Sequence, residues 1–353
     1  MSTVSARRPS IPGAQRLAGR ALFWLGIYAA ALVMFGAFVA TRDVDPIAMY
    51  RSMWESTVLS GFGPGQVLNR TAPFILAGLA VAVPARAGLV NIGGEGQIVL
   101  GAAAAGGVAL ALGTQVTGIE ALILMALAAA VAGALWAGVA AVLKLTGRVD
   151  EAISTLLLNY VAIDILLYLV HGPWKDKAGD GQPAAQPLPA ADALPGLGLG
   201  PANIGIIIAL IATVIVAGVL GLTRWGFALR CAGGNREAAR RAGLSVGTLV
   251  LTAMLVGGAL AGLAGMIQFT GMEGQLRPGI AATFGYTGFL ASWLGRHQPG
   301  KVVLAAALIA LIAVAGDSLQ INSNLPGSVV NVLMALVLLA VLSSKSKPKL
   351  SAA

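Results

Sequence analysis

Arg224–Leu244, RWGFALRCAGGNREAARRAGL, sets five arginines into a chain that is otherwise strongly apolar, and the layout of the rest depends on where this stretch sits. Within it, Asn235 is placed to cap a short helix from Arg236 to Ala242, because its side-chain oxygen can accept from the first unpaired backbone N–H groups. Gly234 precedes the cap, and Gly243 stands where a left-handed C-terminal stop belongs. Glu237 near the start and Arg240 and Arg241 at the end oppose the poles of the helix dipole. Two turns are marginal alone in water. Ala238, Ala239 and Ala242 offer close approach but little apolar area, so the segment reads as a helix that rests on a partner surface.

The surrounding composition says what kind of chain carries it. Of 353 residues, 57% are hydrophobic and 10% charged, and the mean hydropathy is +0.84, well outside the balance of a soluble domain. The fold class that follows is an all-α integral membrane protein embedded in a lipid bilayer. Its 47 glycines suit helices packed closely in lipid, with Gly258-x-x-x-Gly262 and Ala261-x-x-x-Gly265 as local instances. The net charge of +9 does not point to nucleic acid. The basic residues flank apolar runs, and no basic patch is interleaved with aromatics. A single cysteine, Cys231, excludes an internal disulfide and a cysteine metal cluster.

Arg7, Arg8, Arg16 and Arg20 precede an apolar run from Ala21 to Ala40, long enough to be a retained first helix. Further runs cover Val67–Val83, Gly88–Leu112, Ala121–Leu143, Ala152–Val170, Ile204–Leu222, Leu249–Phe269, Ile280–Leu294, Val302–Ala315 and Ser328–Leu342. That makes about ten transmembrane helices, some broken or re-entrant. With the N-terminus inside, most of the 23 Lys and Arg fall on inner segments, while Arg42, Arg51, Arg70, Lys175, Lys177 and Arg277 fall outside. The expected organisation is therefore a cytoplasmic tail at residues 1–20, a membrane domain at 21–343 and a second cytoplasmic tail at 344–353. Residues 224–244 form an inner loop, and the Pro-rich stretch 171–203 an irregular outer one. Glycine-rich interruptions at Gly88–Gly101 and Gly274–Gly295 hold corresponding places in two halves, the pattern of an inverted internal repeat with a pathway between its parts.

Asn91-Ile-Gly-Gly-Glu-Gly-Gln97 is the most informative of these interruptions. Irregular backbone at membrane depth survives only where protein buries it or where it lines a watery cavity, and a carboxylate there is a functional candidate. Asn91, Glu95 and Gln97 are thus candidates for the wall of a substrate pathway. The competing reading is local: Asn91 caps, and Glu95 charge-complements, the helix that follows. Asn159 and Asp164 in the run Ala152–Val170 are further pathway candidates, although interhelical hydrogen bonding is the competing role for Asn159. Gly295-Arg-His-Gln-Pro-Gly-Lys301 imitates the start of a phosphate-binding loop and fails twice. Val302 stands where a metal-binding hydroxyl is needed, and the segment joins two membrane runs. With no catalytic triad or carboxylate pair either, enzymatic chemistry is not expected of this chain.

Three motifs together carry a resemblance: Gly88-Leu-Val-Asn-Ile-Gly-Gly-Glu-Gly-Gln97, Gly233-Gly-Asn-Arg-Glu-Ala-Ala-Arg-Arg-Ala-Gly243 and Gly288-Phe-Leu-Ala-Ser-Trp-Leu-Gly-Arg296. In this order, and across most of Val67–Leu342, the chain resembles permease subunits of bacterial ABC importers of the branched-chain amino acid, ribose and nucleoside superfamily. The first and third motifs are most similar to the nucleoside branch, served by basic membrane lipoprotein-type binding proteins. The resemblance implies a multi-pass subunit of the cytoplasmic (inner) membrane with three partners: a second permease, a cytoplasmic ABC ATPase and an extracytoplasmic substrate-binding protein. It implies that ATP and Mg are used by the ATPase, with no cofactor bound by this chain. It also implies that Gly234, Asn235, Glu237, Ala238, Ala239, Arg240 and Gly243 form the coupling helix that docks on that ATPase. Ribose-like sugars or branched-chain amino acids are the alternative cargo. A stand-alone ion-coupled carrier using Asp164 or Glu95 is the alternative mechanism.

Overall fold

The computed structural model describes residues 26, 29–179, 181–323 and 328–343. In chain order its helices are α1 (Ala29–Ala40), α2 (Pro46–Trp54), α3 (Gly63–Arg86), α4 (Gly94–Leu112), α5 (Ile119–Gly147), α6 (Glu151–His171), α7 (Gly205–Leu222), α8 (Arg224–Gly234), α9 (Arg236–Arg241), α10 (Val246–Gln268), α11 (Phe284–Leu294), α12 (Pro299–Ser323) and α13 (Ser328–Ser343). Extended pairing among the described residues amounts to two isolated bridges, Lys175 with Ala185 and Gly196 with Asn203.

The chain divides into two compact units, Met1–Met53 with Gly316–Ala353, and Trp54–Ala315. In the first, α2 folds back on α1: Tyr50 Oη donates to the Leu32 carbonyl at 2.6 Å, and its ring lies 6.3 Å from that of Phe35. The expected tails at 1–20 and 344–353 and the start of the expected first span lie outside the described residues.

In the second unit α10 is the central post, and small residues make it so. Gly258 and Gly262 face Gly133 on α5, Gly265 faces the Ile98 carbonyl on α4, and Gly257 faces α3. A Cβ on Gly257 would stand 2.6 Å from the Ala80 carbonyl oxygen. Helices in lipid gain little from apolar burial against one another, so backbone approach of this kind is what holds the bundle.

Among the described residues, seven helices are long and apolar enough to cross a membrane: α3, α4, α5, α6, α7, α10 carried on to Glu273 by one π turn, and α12 as far as Asp317. That count does not reach the expected ten or so crossings; α1 and α13 border residues outside the described ones, and α11 is short in itself. The described part of α1 has the bounds Ala29–Ala40, α13 has 16 residues and α11 only 11. At 1.5 Å per residue α11 reaches about 16 Å, half of a hydrocarbon core. Its expected N-terminal part is not helical, since Pro278, Gly279 (φ +80°) and Thr283 (φ +70°) hold 277–283 in turns. The Pro-rich connection after α6 is irregular, as expected, yet firmly seated. Ala185 N–H donates to Leu276 at 2.9 Å, Leu188 N–H to Gly274 at 2.7 Å and Leu194 N–H to Thr270 at 3.0 Å.

Candidate functional site

The Asn91–Gln97 motif is a turn that enters α4, and every polar side chain in it is buried and occupied. Asn91 Nδ2 donates to the Ala80 carbonyl at 3.2 Å and to Gln97 Oε1 at 3.1 Å, while Gln97 Nε2 donates back to Asn91 Oδ1 at 3.0 Å. Asn91 Oδ1 also accepts from Gly93 N–H at 3.1 Å. The helix α4 itself takes Gly93 as its N-cap, without a side-chain cap. Asn91 therefore shapes the turn ahead of the helix and does not cap it.

Glu95 bonds elsewhere. Its Oε1 accepts from Thr283 N–H at 2.6 Å and its Oε2 from Gly285 N–H at 2.7 Å. Both N–H groups lie at the start of α11, where Thr283 is the N-cap residue and offers no side-chain cap of its own. A carboxylate at a helix N-terminus meets unpaired donors and the positive end of the dipole, and charged acceptors make the stronger hydrogen bonds. Glu95, 4% exposed, is thus the buried cap of a helix in the other half of the chain. Glycines let the two turns meet: a Cβ on Gly94 would stand 3.3 Å from Gly285 Cα, and one on Gly285 would overlap the Glu95 backbone.

From the side, α6 supplies two more polar groups. Thr155 Oγ1 accepts from Ile92 N–H at 3.2 Å. Asn159 Oδ1 accepts from Gly96 N–H at 2.8 Å, and its Nδ2 donates to the Ile92 carbonyl at 3.1 Å and to Tyr286 Oη at 3.4 Å. Asn91, Gln97 and Asn159 therefore secure one turn, and Glu95, on the same turn, bonds separately to the start of α11, so the four make one site. Asp164 is not part of it. It lies exposed on the outer face of α6 with Tyr160 and Tyr168, one helical turn to either side.

That outer face differs from the exposed faces of α5 and α7. On α5 the exposed large residues are aliphatic (Ile119, Ile123, Leu127, Val131, Leu135), and on α7 likewise (Ile207, Leu210, Ile211, Val214, Ile215). On α6 and α11 they include Tyr160, Tyr168, Tyr286 and Trp293. The Asn159–Tyr286 bond joins the two helices near the middle of the 21-residue α6. No chemical signal in the sequence pairs Tyr286 with Asn159, 127 residues away.

The stretch Arg224–Leu244 forms two helices, not one. Its first half, expected only as a basic loop, is α8, capped by Thr223 Oγ1 accepting from Gly226 N–H at 3.1 Å. After a break at Asn235, whose Oδ1 accepts from Ala238 N–H at 3.0 Å, comes α9. Gly243 follows with φ +83°, a conformation that glycine adopts at no steric cost. Ala239 is buried, whereas Gly234, Asn235, Glu237, Ala238, Arg240 and Gly243 are exposed. Glu237 pairs with Arg240 at 3.4 Å and Arg241 at 3.1 Å along the outward surface. Two contacts at this end of the bundle have no precedent in the motif reading: Arg236 Nη2 donates to the Gly88 carbonyl at 3.2 Å, and Arg86 Nη2 to the His297 carbonyl at 3.0 Å.

Residues 63–342 match the family described as branched-chain amino acid transport system / permease component. The chain belongs to that permease family. The likeness drawn from the three glycine-rich motifs therefore holds, and the permease is a multi-pass transport component, not an enzyme. It is 39% identical to the glucose ABC transporter permease protein TsgB13 of Haloferax volcanii, over 90% of this chain and 85% of that one. It is 34% identical to the guanosine ABC transporter permease protein NupP of Bacillus subtilis, over 91% of each. The nucleoside ABC transporter permease protein NupB of Lactococcus lactis is 28% identical over 83% of each. No solved structure matches the permease significantly.

Proposed function

We propose that this permease is the membrane-spanning subunit of an ATP-driven importer of nucleosides, working by alternating access in the cytoplasmic membrane with both termini inside. The observation that carries the reading is α9, a short self-capped helix whose Glu237, Ala238 and Arg240 face outward while Ala239 packs inward. A surface of that size suits a groove on a separate ATPase, which binds and hydrolyses ATP with Mg. The guanosine and nucleoside permeases among its relatives support the cargo. The glucose permease supports a second cargo, a hexose, by the same mechanism.

In this reading two permease subunits face one another across a pathway, each built from about ten membrane elements in two inverted halves, and an external binding protein delivers the cargo. Asp164 with Tyr160, Tyr168 and Tyr286 forms the pathway wall. An exposed carboxylate within a membrane span is costly against lipid and suits a watery route, and aromatic faces suit a planar base. Asn91, Glu95, Gln97 and Asn159 hold the backbone behind that wall. ATP binding closes the ATPase pair, which moves α9 and shifts the balance between outward-open and inward-open states; the nucleotide acts only through contacts that differ between them.

The test is purification from membranes with the neighbouring subunits co-expressed, followed by uptake into proteoliposomes. An ATPase that co-purifies, and guanosine uptake that needs ATP and the binding protein, support the assignment. Uptake by this chain alone under an ion gradient overturns it. A binding protein that takes glucose and ignores guanosine selects the hexose.

A further inference from the structure

The half-length helix α11 is held at both ends by one short segment of chain, Arg86–Glu95. At its N-terminus Glu95 accepts from Thr283 and Gly285. Beyond its C-terminus, Arg86 donates to the His297 carbonyl, in a turn where Arg296 and His297 adopt φ +53° and +54°. That turn is stiffened by Ser292 Oγ and His297 Nδ1 at 2.9 Å. Between the two grips, at Gly88, the same segment is itself gripped by the α8–α9 corner. Arg236 donates to the Gly88 carbonyl, and a Cβ added to Gly88 would meet the Gly233 carbonyl at 3.3 Å. Asn91, clasped by Gln97 and fixed to Ala80, keeps the stretch between Gly88 and Glu95 from giving way.

We infer that Arg86–Glu95 is the rigid bracket through which a displacement of α9 reaches α11, with Arg236 as the positioning residue that ties input to bracket and Glu95 as the one that ties bracket to output. Two features make the arrangement transmit. Every link is a direct contact within one compact unit, and the output helix, packed along its side on α3 through Gly288 and Ala77, takes the contacts at both of its ends from the bracket. Because α11 carries Tyr286, which bonds to Asn159 on α6, a shift of α11 re-aims the aromatic face beside Asp164. The inference rests on the reading of α9 as the ATPase-docking element.

The experiment measures import per ATP hydrolysed in the full reconstituted complex, for the wild type and for Arg236→Ala, Arg236→Lys and Glu95→Gln. Arg236 is only half buried on a surface helix, so its alanine variant folds, retains the ATPase and hydrolyses ATP at the wild-type rate. Import per ATP falls about fivefold, the order that one partly exposed hydrogen bond from a charged donor carries. Arg236→Lys, which still reaches the Gly88 carbonyl, restores most of it. Glu95→Gln, which keeps one acceptor oxygen for α11, falls further. An unchanged ratio in Arg236→Ala overturns the proposal. So does loss of the ATPase from that variant, which makes Arg236 a docking residue. A wild-type chain that retains no ATPase overturns the reading of α9 itself, an outcome seen before any variant is compared.

Discussion

Two short helices in this permease are capped in opposite ways. The surface helix α9 is capped by its own neighbour Asn235, in water, through a bond of 3.0 Å. The internal helix α11 is capped by Glu95, a buried side chain 188 residues before the first N–H it serves. A local exposed cap contributes about 1 kcal/mol and can be remade each time the helix frays. A buried carboxylate that loses its donors has nothing to replace them, so the second cap is in effect a tertiary joint. The difference separates the two: the fold of α9 rests on its own neighbour, whereas α11 is tied to the turn that holds Glu95.

The harshest challenge to the contrast is Gly285→Val, which drives a branched side chain into the Glu95 backbone. Loss of the folded permease from detergent extracts, or a destabilisation of more than about 3 kcal/mol, is expected. Next is Glu95→Ala, which strips α11 of its cap and leaves the Gly285 N–H buried without a partner. A loss of about 3 kcal/mol is expected, read as a lower midpoint of thermal unfolding in detergent. Asn235→Ala is milder, about 1 kcal/mol at α9 alone. The unfolding midpoint of the bundle stays in place while hydrogen exchange quickens at Ala238 and Ala239. Least of all is Glu237→Gln, which removes two exposed ion pairs worth about 0.5 kcal/mol each at most, an effect that vanishes in high salt. Should Asn235→Ala unfold the bundle, or Glu95→Ala leave it untouched, the division between the two caps fails.

What the sequence disclosed follows the same division. The cap, charges and glycine stop of α9 lie within ten residues of one another, so local rules reach them, and the glycine interruptions betrayed both irregular turns. Thr155 and Asn159 share a helical face, and their bonding to Ile92 and Gly96 is of the interhelical kind weighed for Asn159. The partners of Glu95 were not legible, because backbone N–H groups carry no residue identity and Gly285 looks like any small residue in a membrane helix. Helix α8 was hidden by its arginines, which read as loop charge although Ala228, Leu229 and Ala232 give it a buried side. Nor could periodicity tell which face of α6 turns outward; the bundle decides that, by burying Asn159 and leaving Asp164 exposed.

The connection after α6 carries a consequence of another kind. It is sewn to the stretch 270–276 chiefly through main-chain N–H and C=O groups, and such stitches make no demand on which side chains are present. The loop can therefore exchange its outward-pointing residues through evolutionary drift while its seat stays the same. The surface at this end of the bundle could in this way be rewritten over a strip of about 30 residues, with no change to the helices beneath.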